Sequence, residues 1–197
     1  MVAGDHIGPA ELSGREALRT ATESPHARLH LHAGFSKVMD GTITLPEYQA
    51  LLRRLYGFYL PFERAVGVGD IRTTWLASDL AALGADAGAI SRIRLCPDLP
   101  RYDGPERRLG ALYVVEGSAL GGRQLFRGLD RLLGANLMEG RRFFAGRGGD
   151  TGRAWSGFLN EVASVGPSAT GRAAMVSAAI ETFDVFEAWL SGWSDVT

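Results

Sequence analysis

The chain has 197 residues, with 21 lysines and arginines against 22 aspartates and glutamates and a formal net charge of −1. That length suits one domain with a full core, and the near-neutral balance offers no broad field to nucleic acid or an anionic membrane surface. A single cysteine, Cys96, excludes an internal disulfide framework and suits a reducing cytoplasm; no run approaches the ~18 apolar residues of a membrane span, and Met1 to Ser13 lacks a secretory pattern.

Residues 1–12, with Gly4, Gly8 and Pro9 and no period, read as a loose arm ahead of one domain over 13–197. Ser13-Gly14-Arg15-Glu16 then has capping-box spacing, and Leu18, Ala21, Thr22, Pro25 and Leu29 follow at helical intervals. This predicts a first helix interrupted or kinked at Ser24-Pro25, where proline removes a backbone donor. His26 and His30, four apart, share one face of it, and His32 points elsewhere. Such a pair could contribute to a zinc site, but no third ligand stands in a motif around it, and solvated or capped histidines are commoner.

Asp40-Gly41 signals a turn, and Thr44-Leu45-Pro46-Glu47 is a second capping box. It opens a helix to Val66 whose stripe of Tyr48, Leu51, Leu52, Leu55, Tyr56, Tyr59, Leu60 and Phe62 faces a core, with Arg53, Arg54 and Arg64 around the rest. A shorter helix is expected over 75–83, preceded by Arg72 and ended by Gly84. Leu95-Cys96-Pro97-Asp98-Leu99-Pro100 breaks any helix. Its cysteine could offer a thiolate to haem iron, although a lone loop cysteine is usually only a cysteine.

A long helix is expected from Pro105 to about Gly134, and it contains Gly117-Ser118-Ala119-Leu120-Gly121-Gly122. Glycine in a helix interior costs about 1 kcal/mol relative to alanine, so three cost about 3 kcal/mol, and a paired glycine is a usual place to kink. Gly117 and Gly121 share a face, with Gly122 beside them. The bare backbone there suits either the close approach of something flat or tight packing of a neighbouring helix. Glu116, about 100° round the helix from Gly117, is expected to face away. Residues 140–152, with Arg141, Arg142 and Arg147 among five glycines, read as a glycine-rich basic loop without a phosphate-loop string. Helices over 151–165 and 168–193 close the chain, the second with Ala179, Phe183, Phe186, Leu190 and Trp193 as its apolar stripe. With no alternating strand pattern and no internal repeat, the fold class is all-α.

Together these segments resemble the haem oxygenase family. Leu18-Arg19-Thr20-Ala21-Thr22-Glu23-Ser24-Pro25-His26 is similar to its first helix, and Leu55-Tyr56-Gly57-Phe58-Tyr59 with Glu63 to its second long helix. Gly117 to Gly122 is similar to the distal helix, and Phe183-Asp184-Val185-Phe186-Glu187 to the closing one. The form Glu116-Gly117-Ser118-Ala119-Leu120-Gly121-Gly122-Arg123 looks more like the bacterial branch, including enzymes that supply bilin to bacteriophytochromes.

The resemblance implies a single-domain multi-helix bundle with haem between the first helix and a kinked, glycine-bearing distal helix. It implies oxidative cleavage of haem to biliverdin, ferrous iron and carbon monoxide, with haem b as both substrate and cofactor. O2 is the oxidant, and since no flavin or nicotinamide motif is present, electrons come from a separate reductase or ferredoxin. His26 matches the iron-ligand position. Gly117, Gly121 and Gly122 would supply the close distal surface, and Ser118 stands where the animal enzymes carry an aspartate. Tyr56 matches a family tyrosine near the distal water network. Arg19 falls at the family's basic position on the first helix and is implied as the first propionate contact, followed by Arg123 and Arg153; Phe183 and Phe186 would touch the macrocycle. The missing aspartate leaves an alternative, a haem or bilin binding protein of the same fold that does no oxygenation. A thiaminase-like hydrolase, a third possibility, finds no acidic partner for Cys96 in the sequence.

Overall fold

The computed structural model describes residues 12–165 and 168–194; the expected N-terminal arm lies, but for Leu12, outside the described residues. Every regular element among them is helical: α1 (Gly14–His30), α2 (Ala33–Met39), α3 (Leu45–Val66), α4 (Ile71–Ala82), α5 (Ala87–Ser91), α6 (Gly104–Ser118), α7 (Gly122–Gly128), α8 (Asp130–Leu133), α9 (Arg142–Ala145), α10 (Thr151–Val165) and α11 (Ala169–Leu190), with one 3-10 turn at Gly148–Asp150.

Local chemistry starts the first helices where the sequence says. Ser13 Oγ accepts from the Glu16 amide at 3.3 Å while the Glu16 carboxylate accepts from the Ser13 amide at 2.9 Å, satisfying two donors that helix geometry leaves open. The Glu47 carboxylate likewise accepts from Thr44 N and Oγ1, at 2.9 and 2.8 Å, at the head of α3. α1 continues through Pro25, so the expected interruption there is corrected. His32 caps α2: its Nδ1 accepts from Gly34 N at 3.2 Å, which leaves Nε2 to donate to Leu190 O at 3.1 Å. That histidine is structural.

α3 is the central rod. Tyr48, Leu51, Leu52, Leu55, Phe58 and Phe62 along it are at most 1% exposed, and Phe58 stacks on Phe62 with ring centroids 5.2 Å apart. Full burial of each such side chain contributes about 1.5–3 kcal/mol relative to exposure. A second cluster joins α1, α6, α10 and α11 through Leu18, Leu109, Val162, Met175 and Phe183. There α6 approaches α11 so closely that a Cβ on Gly110 would run into the backbone of Met175.

Three expectations are corrected. α4 begins at Ile71, a turn early, so Arg72 sits in its first turn and not ahead of it. The single long helix expected over 105–134 is three helices, with residues 119–121 as the break between α6 and α7. The basic loop over 140–152 contains α9, because the Asp79 carboxylate, 1% exposed, accepts from the amides of Arg142 and Phe143 at 2.6 and 2.8 Å. Arg141 is wholly buried; its guanidinium donates to Phe126 O at 2.8 Å, to Asp130 at 2.6 Å and to Gly134 O. It ties α9 to the arch formed by α7 and α8.

Candidate functional site

An open cleft separates α1 from the junction of α6 and α7, with about 1390 Å³ of empty space including the part open to solvent. α1 contributes His26, Leu29 and His30. The α6–α7 break contributes Ser118, Ala119, Gly121 and Gly122, α3 contributes Leu55, Phe58 and Tyr59, and α11 contributes Phe183 and Phe186. A concave, mostly apolar lining with a few convergent polar groups is how proteins bind medium-sized organic ligands.

On the α1 side, the rings of His26 and His30 meet edge to face with centroids 4.6 Å apart. Burial, and then the neighbouring His30, hold the His26 imidazole below its usual protonation range, so it is neutral near pH 7, the form that ligates a metal.

A polar set closes the inner end. Glu63, with no exposed surface, accepts from Arg72 N at 2.9 Å, Thr73 N at 3.1 Å and Thr73 Oγ1 at 2.7 Å. Arg72 Nη1 lies 3.8 Å from the same carboxylate, and Nη2 donates to Glu116 at 2.7 Å. Glu116 thus lines the cleft, correcting the expectation that it faces away; the buried guanidinium arriving from α4 turns it inward. Ser118 Oγ spends its one proton on Val115 O at 2.9 Å, which leaves its oxygen only lone pairs to offer the cleft. Burial raises the Tyr59 pKa, so the hydroxyl it brings to the cleft stays protonated.

The cleft therefore gathers His26, Ser118, Gly121, Gly122 and Phe183, and leaves other expected residues off its lining. Gly117 lies under the Trp155 ring, 3.6 Å from where a Cβ would stand. Tyr56 packs half-buried against the core, and Tyr59, about one turn along α3, lines the cleft. Arg19, Arg123 and Arg153 are exposed and off the lining; Arg153 lies 3.5 Å from Asp150. The arginines that do line it are Arg72 and Arg147. Cys96 is buried away from the cleft, its amide bonded to Gly57 O at 2.9 Å. Sequence reasoning missed Tyr59, Arg72, Glu116 and Arg147. Only Tyr59 had a signal, its place on the apolar stripe of α3.

A helical bundle that holds a neutral imidazole across an apolar cleft from bare glycine backbone fits a flat macrocycle carrying a metal. The chain belongs to the heme oxygenase family: the family model described as Heme oxygenase matches residues 13–192. Its structure is similar to the NO- and CO-bound heme oxygenase from Neisseria meningitidis, with TM-score 0.72 and 20% identity over 95% of this chain and 94% of that one. It is also similar to the heme oxygenase from Leptospira interrogans, with TM-score 0.71 and 17% identity over 91% and 99% of the two chains. These likenesses carry the fold, and the all-α architecture expected from sequence is the one observed. Comparison with curated proteins finds no match. Among the described residues, no helix is long and apolar enough to cross a membrane.

Proposed function

We propose that the chain is a haem oxygenase, cleaving haem to biliverdin, ferrous iron and carbon monoxide with O2 and electrons from a separate reductase or ferredoxin. The observation that carries this reading is one cleft with a neutral His26 on its α1 wall and a buried hydrogen-bonded polar set at its inner end. Bound there, haem would supply both the iron that activates O2 and the carbon that is cut.

This chain's residues divide the remaining work. His26 would hold the iron through the lone pair of its neutral imidazole. Leu29, Phe183 and Phe186 would bury the macrocycle and exclude water from it. Gly121, where a Cβ would meet nothing closer than Ser118 O at 3.6 Å, leaves peptide groups open to the opposite face, and Gly122 lets α7 pack against α9. Ser118 Oγ would accept from water on that side and the Tyr59 hydroxyl would donate to it. Glu116, held by Arg72, brings to the cleft the carboxylate that position 118 lacks. That carboxylate favours the degrading enzyme over a protein that only binds haem or bilin.

Delivery of the bilin to a bacteriophytochrome is the finer reading, supported by the sequence form from Glu116 to Arg123, and a lone thiol suits a cytoplasmic setting. The deciding experiment is a hemin titration followed by ascorbate or a reductase system in air. Decay of the Soret band with growth of a broad red bilin absorption is expected, and His26→Ala is expected to lose most of the parent's hemin affinity and to alter its Soret band. A Soret band that persists in air with reductant would assign the chain to the binding-protein reading.

A further inference from the structure

This inference rests on the haem reading of the cleft and concerns which edge of the macrocycle faces which wall. Haem carries two carboxylates on one edge, and carboxylates are held by guanidinium groups at a solvent-accessible rim. Of the two arginines lining the cleft, Arg72 is spoken for by Glu116 and Glu63. Arg147 is exposed, and its side chain makes no ion pair or hydrogen bond with the described residues.

The backbone presents Arg147 in a fixed position. Gly146 and Gly148 on either side have φ of 55° and 58°, the left-handed region that glycine adopts without strain. The Arg142 guanidinium donates to Gly146 O, and Thr151 Oγ1 donates to Gly148 O at 3.0 Å. Thr151 itself lines the cleft next to Arg147. The α1 and α10 cations, Arg19 and Arg153, do not line it.

We propose that the loop over 146–151 is the carboxylate-binding edge of the cleft, with Arg147 as the counter-ion of a haem propionate. The loop, and not α1, then sets the in-plane rotation of the macrocycle, and with it which meso carbon is presented to the polar set. The test compares hemin with hemin dimethyl ester, in which both carboxylates are masked. The parent should bind hemin more tightly than the ester. Arg147→Gln should weaken hemin about fivefold, the scale of one exposed ion pair, while leaving the ester's affinity as it was. Arg147→Lys should restore most of the preference, and the biliverdin isomer ratio should shift in Arg147→Gln. Equal weakening of both ligands, no weakening of hemin, or loss of the preference in Arg19→Gln instead would overturn the proposal alone, the parent's complex standing. A parent that forms a Soret complex with neither ligand would overturn the haem reading, and the proposal with it.

Discussion

Gly122 and Gly117 are five residues apart and both belong to the glycine-bearing stretch over 117–122, yet the structure gives them opposite sensitivities. A Cβ on Gly122 would stand 2.6 Å from Phe144 O, and Phe144 is in α9, whose first turn is pinned by two amide bonds to buried Asp79. Ordinary contact begins at 3.4 Å, so α7 and α9 must separate by the better part of an ångström in Gly122→Ala. Overpacking of this kind costs about 1–3 kcal/mol, against which alanine in place of helical glycine returns about 0.5–1 kcal/mol. The net expectation is about 1–2 kcal/mol of destabilisation, a fall of roughly 2–8 °C in Tm at this chain length. Gly117→Ala meets only a ring atom at 3.6 Å and should be neutral or stabilising by up to about 1 kcal/mol. Thermal unfolding of the two apo variants beside the parent measures the difference, and hemin titration should show weaker binding only in Gly122→Ala. Equal Tm values for the two variants would refute the argument that Gly122 is needed for its contact with α9.

Three further outcomes are expected. Arg72→Gln breaks a pair whose side chains are 9% and 15% exposed, with the fully buried Glu63 beside it; chemical denaturation should show a loss of about 3 kcal/mol, since Glu63 keeps its three hydrogen bonds from Arg72 N and Thr73. Burial raises the Asp79 pKa from 3.8 to about 6, so the folded chain holds a proton that the unfolded chain has released; its contribution to stability therefore falls by about 3 kcal/mol as pH rises from about 4 to 6, and Asp79→Asn should flatten that segment when denaturation is followed against pH. His30 lines the cleft beside His26, so His26→Ala is expected to leave a weak residual hemin complex with an altered Soret band that His26→Ala/His30→Ala loses; equal spectra for the two would discount His30 as a substitute ligand.

Much of the fold was legible because its signals are local. The capping boxes at Ser13 and Thr44, the apolar stripe of α3 and the limits of α10 each depend on residues a turn or two apart. What was not legible depends on distant partners. Nothing near residue 142 announces α9, because the acceptor that starts it is Asp79, 63 residues away. Helical angle alone points Glu116 away from Gly117, whereas the charge that orients it comes from Arg72, 44 residues earlier. The glycines divide in the same manner: Gly110 is required by Met175 on another helix, and no property of α6 alone distinguishes it from Gly117. At the cleft, family resemblance led to His26, Ser118, Gly121, Gly122 and Phe183, while Arg147 lies in a segment whose sequence reads only as a basic loop.

The Glu63, Arg72 and Glu116 group has a consequence for inhibition. Two carboxylates share one guanidinium, so the group carries a formal excess of one negative charge in surroundings that solvent reaches poorly. Such a charge repels a small anion far more than in water, and leaves an uncharged diatomic molecule unaffected. With haem bound in the cleft as proposed, azide, an anion at neutral pH, should therefore be a weak ligand, and Glu116→Gln should strengthen azide binding while leaving carbon monoxide affinity nearly where it was.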